Sequence, residues 1–578
     1  MHDSRTPSSY RPPLLQRIVT RRILARNPST DDHPLPLWLI FPLLFAGVYL
    51  AHSTLLRLPY YWDEAGYYIP AAYDFFRTGS LIPTTTLSNA HPPLPSIYLA
   101  LWWKLAGFSP FVTRTAMCFI AAIALLGVYR IAMVVTCRIR VAVATTLLTA
   151  LYPIWFAQSS LAHADLFAAA ATLWGLAFAL GPGPAQSSHS GDRYTPQTWA
   201  AVACFSIAVL AKETAIVTPL ALAVWNFWQS WRVQLETQPD TTAPRRHLAT
   251  AAEYLLPTIP LAIWYAWHYH CTGFIFGNPE FLRYNATATL SPLRILLALG
   301  HRILHLTAHM NMFVPVLCTL AAMMLPPLEE QDGSPRPRIN IPDQQQIYIV
   351  LAANLVFFSV VGGALLTRYL LPLYPLVLLL CVNTLRRRVR YWPALIALTA
   401  AAFIAGLFVN PPYRFAPEDN LAYTDVITLH QQAIGDLLQR YPQAIVLTAW
   451  PATDELTKPE LGYVNQPLQV VAIDNFSLAE IQKAAQSKDP YTAAFVFSTK
   501  YDPKNVPLRL GLGNESVDTR YFDFHRDLPP EAIAHLLGGA IAWRAERKGQ
   551  RAAILHFNRP QFASTQLPPV TESASASP

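Results

Sequence analysis

Charged residues are scarce in this chain of 578 residues, of which only 13% are Asp, Glu, Lys or Arg. Soluble domains contain about 25% charged residues, so this chain lacks the charge needed to cover several soluble domains. Hydrophobic residues make up 53% and aromatic residues 12% of the sequence, and the mean hydropathy is +0.25. A soluble enzyme and a disordered scaffold therefore fit poorly, and the composition indicates an integral membrane protein.

Cysteine is also rare, and no paired-cysteine motif is present. The six cysteines are scattered, without a CxxC pair or a metal-ligand spacing. Most of them lie within apolar runs, where cysteine behaves as a small hydrophobic residue. The sequence therefore predicts neither a disulfide framework nor a zinc site.

Apolar runs of helix-spanning length recur between residues 37 and 409, and we count about eleven of them. The predicted runs are 37–56, 112–129, 141–157, 164–181, 198–212, 214–230, 251–267, 304–326, 346–366, 368–385 and 391–409. A polar tail precedes the first run and no small-residue cleavage site follows it, so we expect a retained anchor rather than a removed signal peptide. The sequence thus predicts a mainly α polytopic membrane protein, with a transmembrane domain at 37–409.

The positions of Lys and Arg predict the orientation, because cytoplasmic loops carry an excess of both. The tail at 1–36 is rich in Arg, and alternate connections carry the other large basic groups, such as 386–390. We therefore expect a cytoplasmic tail at 1–36 and, after an odd number of spans, an extracytoplasmic segment from residue 410. The net charge of +8 reflects this orientation and does not indicate a nucleic-acid partner.

From residue 410 onward the composition becomes that of a soluble α/β domain, predicted at 410–565 and followed by a disordered tail at 566–578. Helical periodicity and short β-branched runs alternate here, and a hairpin closes the domain. The predicted helices are 421–440, 477–486 and 531–539, and the predicted strands are 444–449, 468–473 and 493–499. Trp450-Pro451 and Asp454-Glu455 follow the first strand, and we predict an acceptor-binding or structural role for this domain.

The predicted outer loop at 57–111 begins with YYWDEAGYY at 60–68, which contains the adjacent carboxylates Asp63 and Glu64. Acidic residues at the membrane tend to mark functional sites. The alternative is structural, since Asp63 is well placed to cap a helix that starts at Glu64. The loop continues through HPPL, which begins at His91.

Three further polar groups fall at the outer ends of predicted spans. They are His163 with Asp165 in LAHAD, Lys212 with Glu213 in AKET, and Arg368 with Tyr369 in TRYLLP. Each group also has a structural alternative. His163 and Asp165 could simply start a helix, and Lys212 and Glu213 could form a local ion pair. Arg368 could be an anchor at the membrane interface. In favour of function, all three lie on one face of the membrane in a topology that rests only on Lys and Arg.

The ordered set of WDEAGYY, HPPL with a downstream LAG, and a basic residue entering the second span resembles the GT-C superfamily of glycosyltransferases. It resembles in particular the bacterial branch of the dolichyl-phosphate-mannose protein mannosyltransferase family, which includes the aminoarabinose transferases that act on lipid A. The resemblance covers about residues 38–410 and is strongest over 58–115. Where the aminoarabinose branch often has Lys before the double proline, this chain has His91.

The resemblance implies transfer of a hexosyl or pentosyl group from a polyprenyl-phosphate carrier to a lipid, glycan or protein acceptor, on the outer face of the bacterial cytoplasmic (inner) membrane. The leaving phosphate needs fixed cations more than a general acid; the candidates are Lys212, Arg368, Arg114 and Lys104. A single displacement inverts the anomeric centre, with Asp63 as the candidate base. Glu64 points about 100° away on a helix and is expected to orient the loop. The candidate substrate-binding residues are His91, Tyr67, Asp165, Glu213 and Tyr369.

No cofactor is predicted. A histidine-rich outer stretch includes His305 and His309, which lie one helical turn apart and could bind a divalent metal, but Glu280 is the only carboxylate nearby in the sequence. Two other functions stay open: a lipid-linked sugar transporter or flippase, and a non-catalytic membrane subunit. Charged residues are scarce within the spans, whereas transport pathways usually need them near the midplane.

Overall fold

The computed structural model describes residues 36–86, 88, 90–181, 196–235, 243–277, 279, 283, 289–487, 490–501, 515–522 and 524–558. The predicted tails at 1–36 and 566–578 lie outside the described residues, apart from Pro36. The cytoplasmic and disordered character assigned to them stays a prediction.

Helices dominate the chain up to residue 408, and every predicted apolar run contains one. The α-helices of this part are Leu37–Ala51, Ile69–Thr78, Leu94–Ala106, Pro110–Thr136, Ile139–Leu151, Pro153–Gln158, Ala164–Ala179, Pro196–Ala211, Val217–Gln234, Ala243–Leu255, Thr258–Thr272, Pro292–Thr307, Phe313–Met323, Ile341–Val360, Tyr374–Arg388 and Trp392–Phe408. Prolines stand at the first or second position of many of them, where the missing N–H costs no hydrogen bond.

Few of the described helices are long enough to be identified as membrane spans. Within the described residues, one helix, Pro110–Thr136, is long and apolar enough to cross a membrane, and the bent pair Pro292–Asn311 and Phe313–Met323 would make a second if it forms one span. The two members of this pair meet at 101°, where Met310 has a left-handed φ of 47°. The predicted number of about eleven spans therefore stays a prediction.

The predicted outer loop is folded against the longest helix. Its first part is a π-helical turn, Glu64–Tyr68, that continues into the helix Ile69–Thr78. The Thr113 hydroxyl of helix Pro110–Thr136 lies 2.7 Å from the buried Tyr60 hydroxyl and accepts a hydrogen bond of 2.9 Å from the Trp103 indole. This one side chain anchors both ends of the loop and fixes the segment that carries Asp63.

The C-terminal part contains the predicted strand–helix alternation and the closing hairpin. The strands are β1 Ile445–Ala449, β2 Gln469–Ile473, β3 Ala493–Phe497, β4 Ala540–Arg547 and β5 Gln550–His556, and the longer helices beside them include Ala422–Arg440, Leu478–Gln486 and Pro530–Leu537. The sheet order is β2-β1-β3-β5-β4. β1 pairs in parallel with β2 and β3, whereas β5 pairs antiparallel with β3 and β4.

The C-terminal domain packs directly on the outer loop. The Trp450 ring, which follows β1, lies 5.1 Å from the Trp62 ring and 5.7 Å from the Tyr67 ring. The Tyr463 hydroxyl donates a hydrogen bond of 3.0 Å to the backbone oxygen of Tyr60. This contact brings residues beyond 410 to the loop that carries Asp63.

We expect Gly66→Ala to destabilise this contact. A Cβ at Gly66 would stand 2.6 Å from Cζ2 and Nε1 of Trp450, so the indole must move, and overpacking of this kind costs about 1–3 kcal/mol. Thermal unfolding in lipid nanodiscs measures the effect as a lower Tm. Gly435→Ala is the control, since nothing lies within 4 Å of its added Cβ and alanine favours a helix interior. Equal Tm values for Gly66→Ala and wild type would contradict the tight contact.

Candidate active site

Arg368 is the centre of a buried cluster of charges. It lies in the 3-10 turn Thr367–Leu370, just before the helix Tyr374–Arg388. Its guanidinium donates from one terminal nitrogen to Asp63 and from the other to Glu418, and its Nε lies 3.3 Å from Oδ2 of Asp165. Three carboxylates therefore share one cation.

Lys212 is the second cation of the cluster and shares Asp165 with Arg368. Its Nζ lies 2.5 Å from Oδ1 of Asp165 and 4.2 Å from the centre of the Tyr369 ring. Asp165 occupies the first turn of the helix Ala164–Ala179, where the helix dipole favours a negative charge. The structural alternative was a local ion pair between Lys212 and Glu213. Lys212 instead donates its hydrogen bond to Asp165.

Asp63 is the carboxylate of the cluster that solvent reaches most easily. Its side chain is 19% exposed, against 3% for Asp165 and 5% for Glu418. The residue before it, Trp62, has a left-handed φ of 48°, which is rare for a bulky residue and is found where the surrounding structure enforces it. Asp63 makes no capping hydrogen bond, so the helix-cap alternative does not hold.

Glu64 points away from Asp63 into a separate buried ion pair with Arg114. Their nitrogens and oxygens lie 3.2 and 3.3 Å apart, and both side chains are fully buried. The Glu64 carboxylate also accepts hydrogen bonds from the backbone N–H of Tyr61 at 2.9 Å and of Ala162 at 2.7 Å. These bonds tie the loop to Arg114 and Ala162, and the catalytic assignment of Glu64 stays a prediction.

Arg114, a predicted phosphate-binding residue, has its hydrogen-bond partners within the protein. Its guanidinium donates to both oxygens of Glu64 and to the carbonyl oxygens of Leu58, Pro59 and Ser160. A guanidinium has five N–H donors, so these five bonds leave none for a phosphate. Lys104, the other candidate cation, lies on the exposed face of the helix Leu94–Ala106 and is not part of the Arg368 cluster.

His91 and Glu213 form a pair beside the cluster. His91 Nδ1 lies 2.9 Å from a Glu213 oxygen, and the His91 ring stacks on Tyr68 at 5.9 Å. Burial acts to raise the pKa of the Glu213 carboxyl, but the His91 ring and the Lys212 charge more than offset it, and the pKa lies below its ordinary value. Tyr67, by contrast, lies at the surface against Trp450.

Glu418, which the C-terminal segment brings to Arg368, is not among the residues predicted from the sequence. Burial raises the pKa of the Glu418 carboxyl to about 8, with a further upward contribution from Asp63 that Arg368 opposes. The adjacent Asp419 accepts a hydrogen bond from Thr367 and lies 2.8 Å from His309 Nε2. A signal did exist: Glu418-Asp419 is an acidic pair shortly after the last apolar run, as Asp63-Glu64 is after the first.

Two cavities lie beside the cluster. The first is lined by Asp165, Lys212, Arg368 and Tyr369 together with Thr172, Thr218 and Asn354. Tyr67, Tyr68, His91 and Trp264 line the second, on the side of the outer loop. Ala164, which precedes Asp165 at the start of its helix, lines the second cavity.

Among the described residues, no group of three or more His, Cys, Asp or Glu side chains is arranged to hold a metal ion. His305 and His309 do lie one turn apart, with ring centres separated by 5.4 Å. The polar partners of His309 are Asp419 and the Tyr413 hydroxyl, at 2.8 and 2.9 Å.

Several solved structures are similar to this chain. They include ArnT from Cupriavidus metallidurans bound to undecaprenyl phosphate, at 15% identity and a TM-score of 0.49, covering 89% of this chain and 97% of that one. The protein O-mannosyltransferase Pmt1-Pmt2 complex of S. cerevisiae bound to the sugar donor matches at 15% identity and 0.33, covering 46% and 38%. The oligosaccharyltransferase of Archaeoglobus fulgidus in complex with zinc and sulfate matches at 11% identity and 0.43, covering 80% and 68%.

No protein-family model and no curated protein matches the chain. The functional evidence therefore lies in the side chains around Arg368.

Proposed function

We propose that this chain is a membrane glycosyltransferase that moves one sugar from a polyprenyl-phosphate carrier to an acceptor hydroxyl, with inversion at the anomeric carbon. The observation that supports this function best is the convergence of a reachable carboxylate, Asp63, with two buried cations, Lys212 and Arg368. An anionic leaving group needs the cations, and an attacking hydroxyl needs the base.

The phosphate belongs on the Lys212 side of the cluster. Lys212 and Arg368 line the cavity there together with Ala168 and Phe358. A phosphate at the cations would leave its isoprenoid chain beside these apolar side chains. Fixed cations in a site that excludes water stabilise the charge that develops on the phosphate as the sugar leaves.

The acceptor belongs on the Asp63 side. The acceptor O–H bond breaks as its oxygen bonds to the anomeric carbon, the proton passes to Asp63, and the sugar–phosphate bond breaks with its electron pair on the phosphate. General-base assistance of this kind contributes about 10²–10⁴ in rate. Arg368 holds the Asp63 carboxylate in place through a hydrogen bond.

A membrane location accounts for the outward-facing surface of the helices. Many large apolar side chains there are exposed, and examples are Trp38, Leu43, Leu50, Val224, Phe227, Trp231, Leu296, Leu317 and Phe408. Exposed apolar surface on this scale marks contact with lipid or a partner. We place the chain in the bacterial inner membrane, with the N-terminus cytoplasmic and residues after 410 extracytoplasmic, because the Arg distribution favours that orientation.

Turnover of a panel of short-chain polyprenyl-phosphate sugars tests the function. Purified protein in nanodiscs is incubated with each donor and with lipid, glycan and peptide acceptors, and released polyprenyl phosphate is measured. We expect turnover of one donor class. Donor binding without turnover for any acceptor, together with donor movement across vesicles, would favour a transporter instead.

Lys212→Gln is expected to raise KM for that donor, because it removes one of the two cations proposed to bind phosphate. A hydrogen bond to a charged group contributes about 1.5–3 kcal/mol, which corresponds to roughly 10–100-fold in KM. The control is Lys458→Gln, which removes a lysine that pairs with Asp454 at 2.8 Å in the C-terminal domain. An unchanged KM in Lys212→Gln would remove Lys212 from the phosphate site.

A further inference from the structure

The charges around Arg368 do not favour an incoming anion. Two cations, Lys212 and Arg368, contact three carboxylates, Asp63, Asp165 and Glu418. If all five are ionised, the cluster has an excess of negative charge before any phosphate arrives. Charges interact strongly in a buried site, so phosphate binding requires one carboxylate to lose its charge or its cation.

Glu418 is the carboxylate best suited to lose its charge. Asp165 is held by both cations, and Asp63 is needed in its ionised form as the base. Glu418 contacts Arg368 through Oε1, whereas its Oε2 is buried and has no hydrogen-bond partner in the described part of the chain. Burial already favours its neutral form, with a pKa of about 8.

We propose that Glu418 is protonated whenever the lipid phosphate is bound, taking up a proton if it was ionised before, so that the Arg368 N–H that pointed at Glu418 passes to the phosphate. The proton comes from the aqueous phase and resides on the unpartnered Oε2. This inference rests on the proposed function, because it concerns the same phosphate site. Glu418 is therefore a positioning residue, because its protonation changes which groups Arg368 can bind. It is not a catalytic residue.

The groups around Glu418 determine the sign of the pH dependence. Those that face it are Arg368, Asp63, Asp165, Asp419 and Tyr61, with His309 beyond Asp419. Below a pH of about 8 Glu418 is already neutral, and binding needs no proton. Above that pH binding must take one up, so the affinity falls as the pH rises, by up to about tenfold per pH unit for one proton.

Calorimetry counts the protons directly. The probe is a short-chain isoprenyl methyl phosphodiester, whose single negative charge does not titrate in this range. Binding heats in nanodiscs are measured at about pH 6 and about pH 9, each in two buffers with different ionisation enthalpies. We expect wild type to take up close to one proton at the higher pH and almost none at the lower.

Glu418→Gln, which keeps the shape and is always neutral, should take up no proton at either pH and should bind at the higher pH as tightly as wild type binds at the lower. Glu418→Asp should restore uptake. The control is Glu531→Gln, an exposed glutamate that pairs with Arg544, and it should behave as wild type. Binding by wild type without proton uptake at the higher pH, or full uptake by Glu418→Gln, would overturn the inference.

If Glu418→Gln does not fold, infrared difference spectra of wild type decide the question at the higher pH. Addition of the phosphodiester should produce a new band from a protonated carboxyl group, and its absence would overturn the inference. Failure of every protein to bind the probe at either pH would instead overturn the proposed phosphate site and, with it, the function.

Discussion

Asp63→Asn is expected to abolish sugar transfer while the lipid phosphate still binds. The substitution keeps the size of the side chain. It removes the most exposed carboxylate of the cluster, whose side chain is 19% exposed. Loss of a general base lowers the rate by about 10²–10⁴. The donor affinity should stay the same or increase, because Arg368 then has one negative partner fewer.

Turnover of the donor and affinity for the phosphodiester probe, measured on the same preparation, separate the two effects. Asp454→Asn is the matched control, since Asp454 pairs with Lys458 and is not one of the carboxylates that contact Arg368. Asp63→Asn with turnover close to wild type would remove Asp63 as the base and direct attention to Asp165. A transporter or a non-catalytic subunit would tolerate the substitution.

Local patterns were sufficient to predict most of the secondary structure. The strands at 445–449, 469–473 and 493–497 and the helix between the last two appear within about two residues of their predicted positions, because β-branched runs and helical periodicity are local signals. The helical part was harder. The run at 304–326 is broken where Met310 adopts a left-handed φ, a bend that hydropathy does not reveal.

Most residues of the candidate site could be predicted from the sequence, but the contacts between them could not. Asp63, Asp165, Lys212 and Arg368 each stand at the outer end of a predicted span, which topology alone could indicate. Asp63 and Arg368 are 305 residues apart, however, so no local pattern could show that they touch. Glu418 was missed because it lies in a segment that reads as the beginning of a soluble domain.

Substitution of Arg114, a predicted phosphate ligand, gives the second large effect. Its position at the entry to the second predicted span suggested a phosphate ligand, yet all of its donors are bonded within the protein. Arg114→Met should therefore lower the free energy of unfolding by about 3–5 kcal/mol, because it leaves the Glu64 charge buried without its cation.

Denaturant unfolding of a double-mutant cycle measures this coupling. Arg114→Met combined with Glu64→Gln should cost less than the sum of the single variants, because a neutral Glu64 replacement no longer needs the guanidinium. Both single variants should lose transfer through misplacement of the loop that carries Asp63, while any folded fraction keeps its affinity for the phosphodiester probe. If Arg114→Met were as stable as wild type but lost that affinity, Arg114 would return to the phosphate site, and the donors it shares with Glu64 would have to be released on binding.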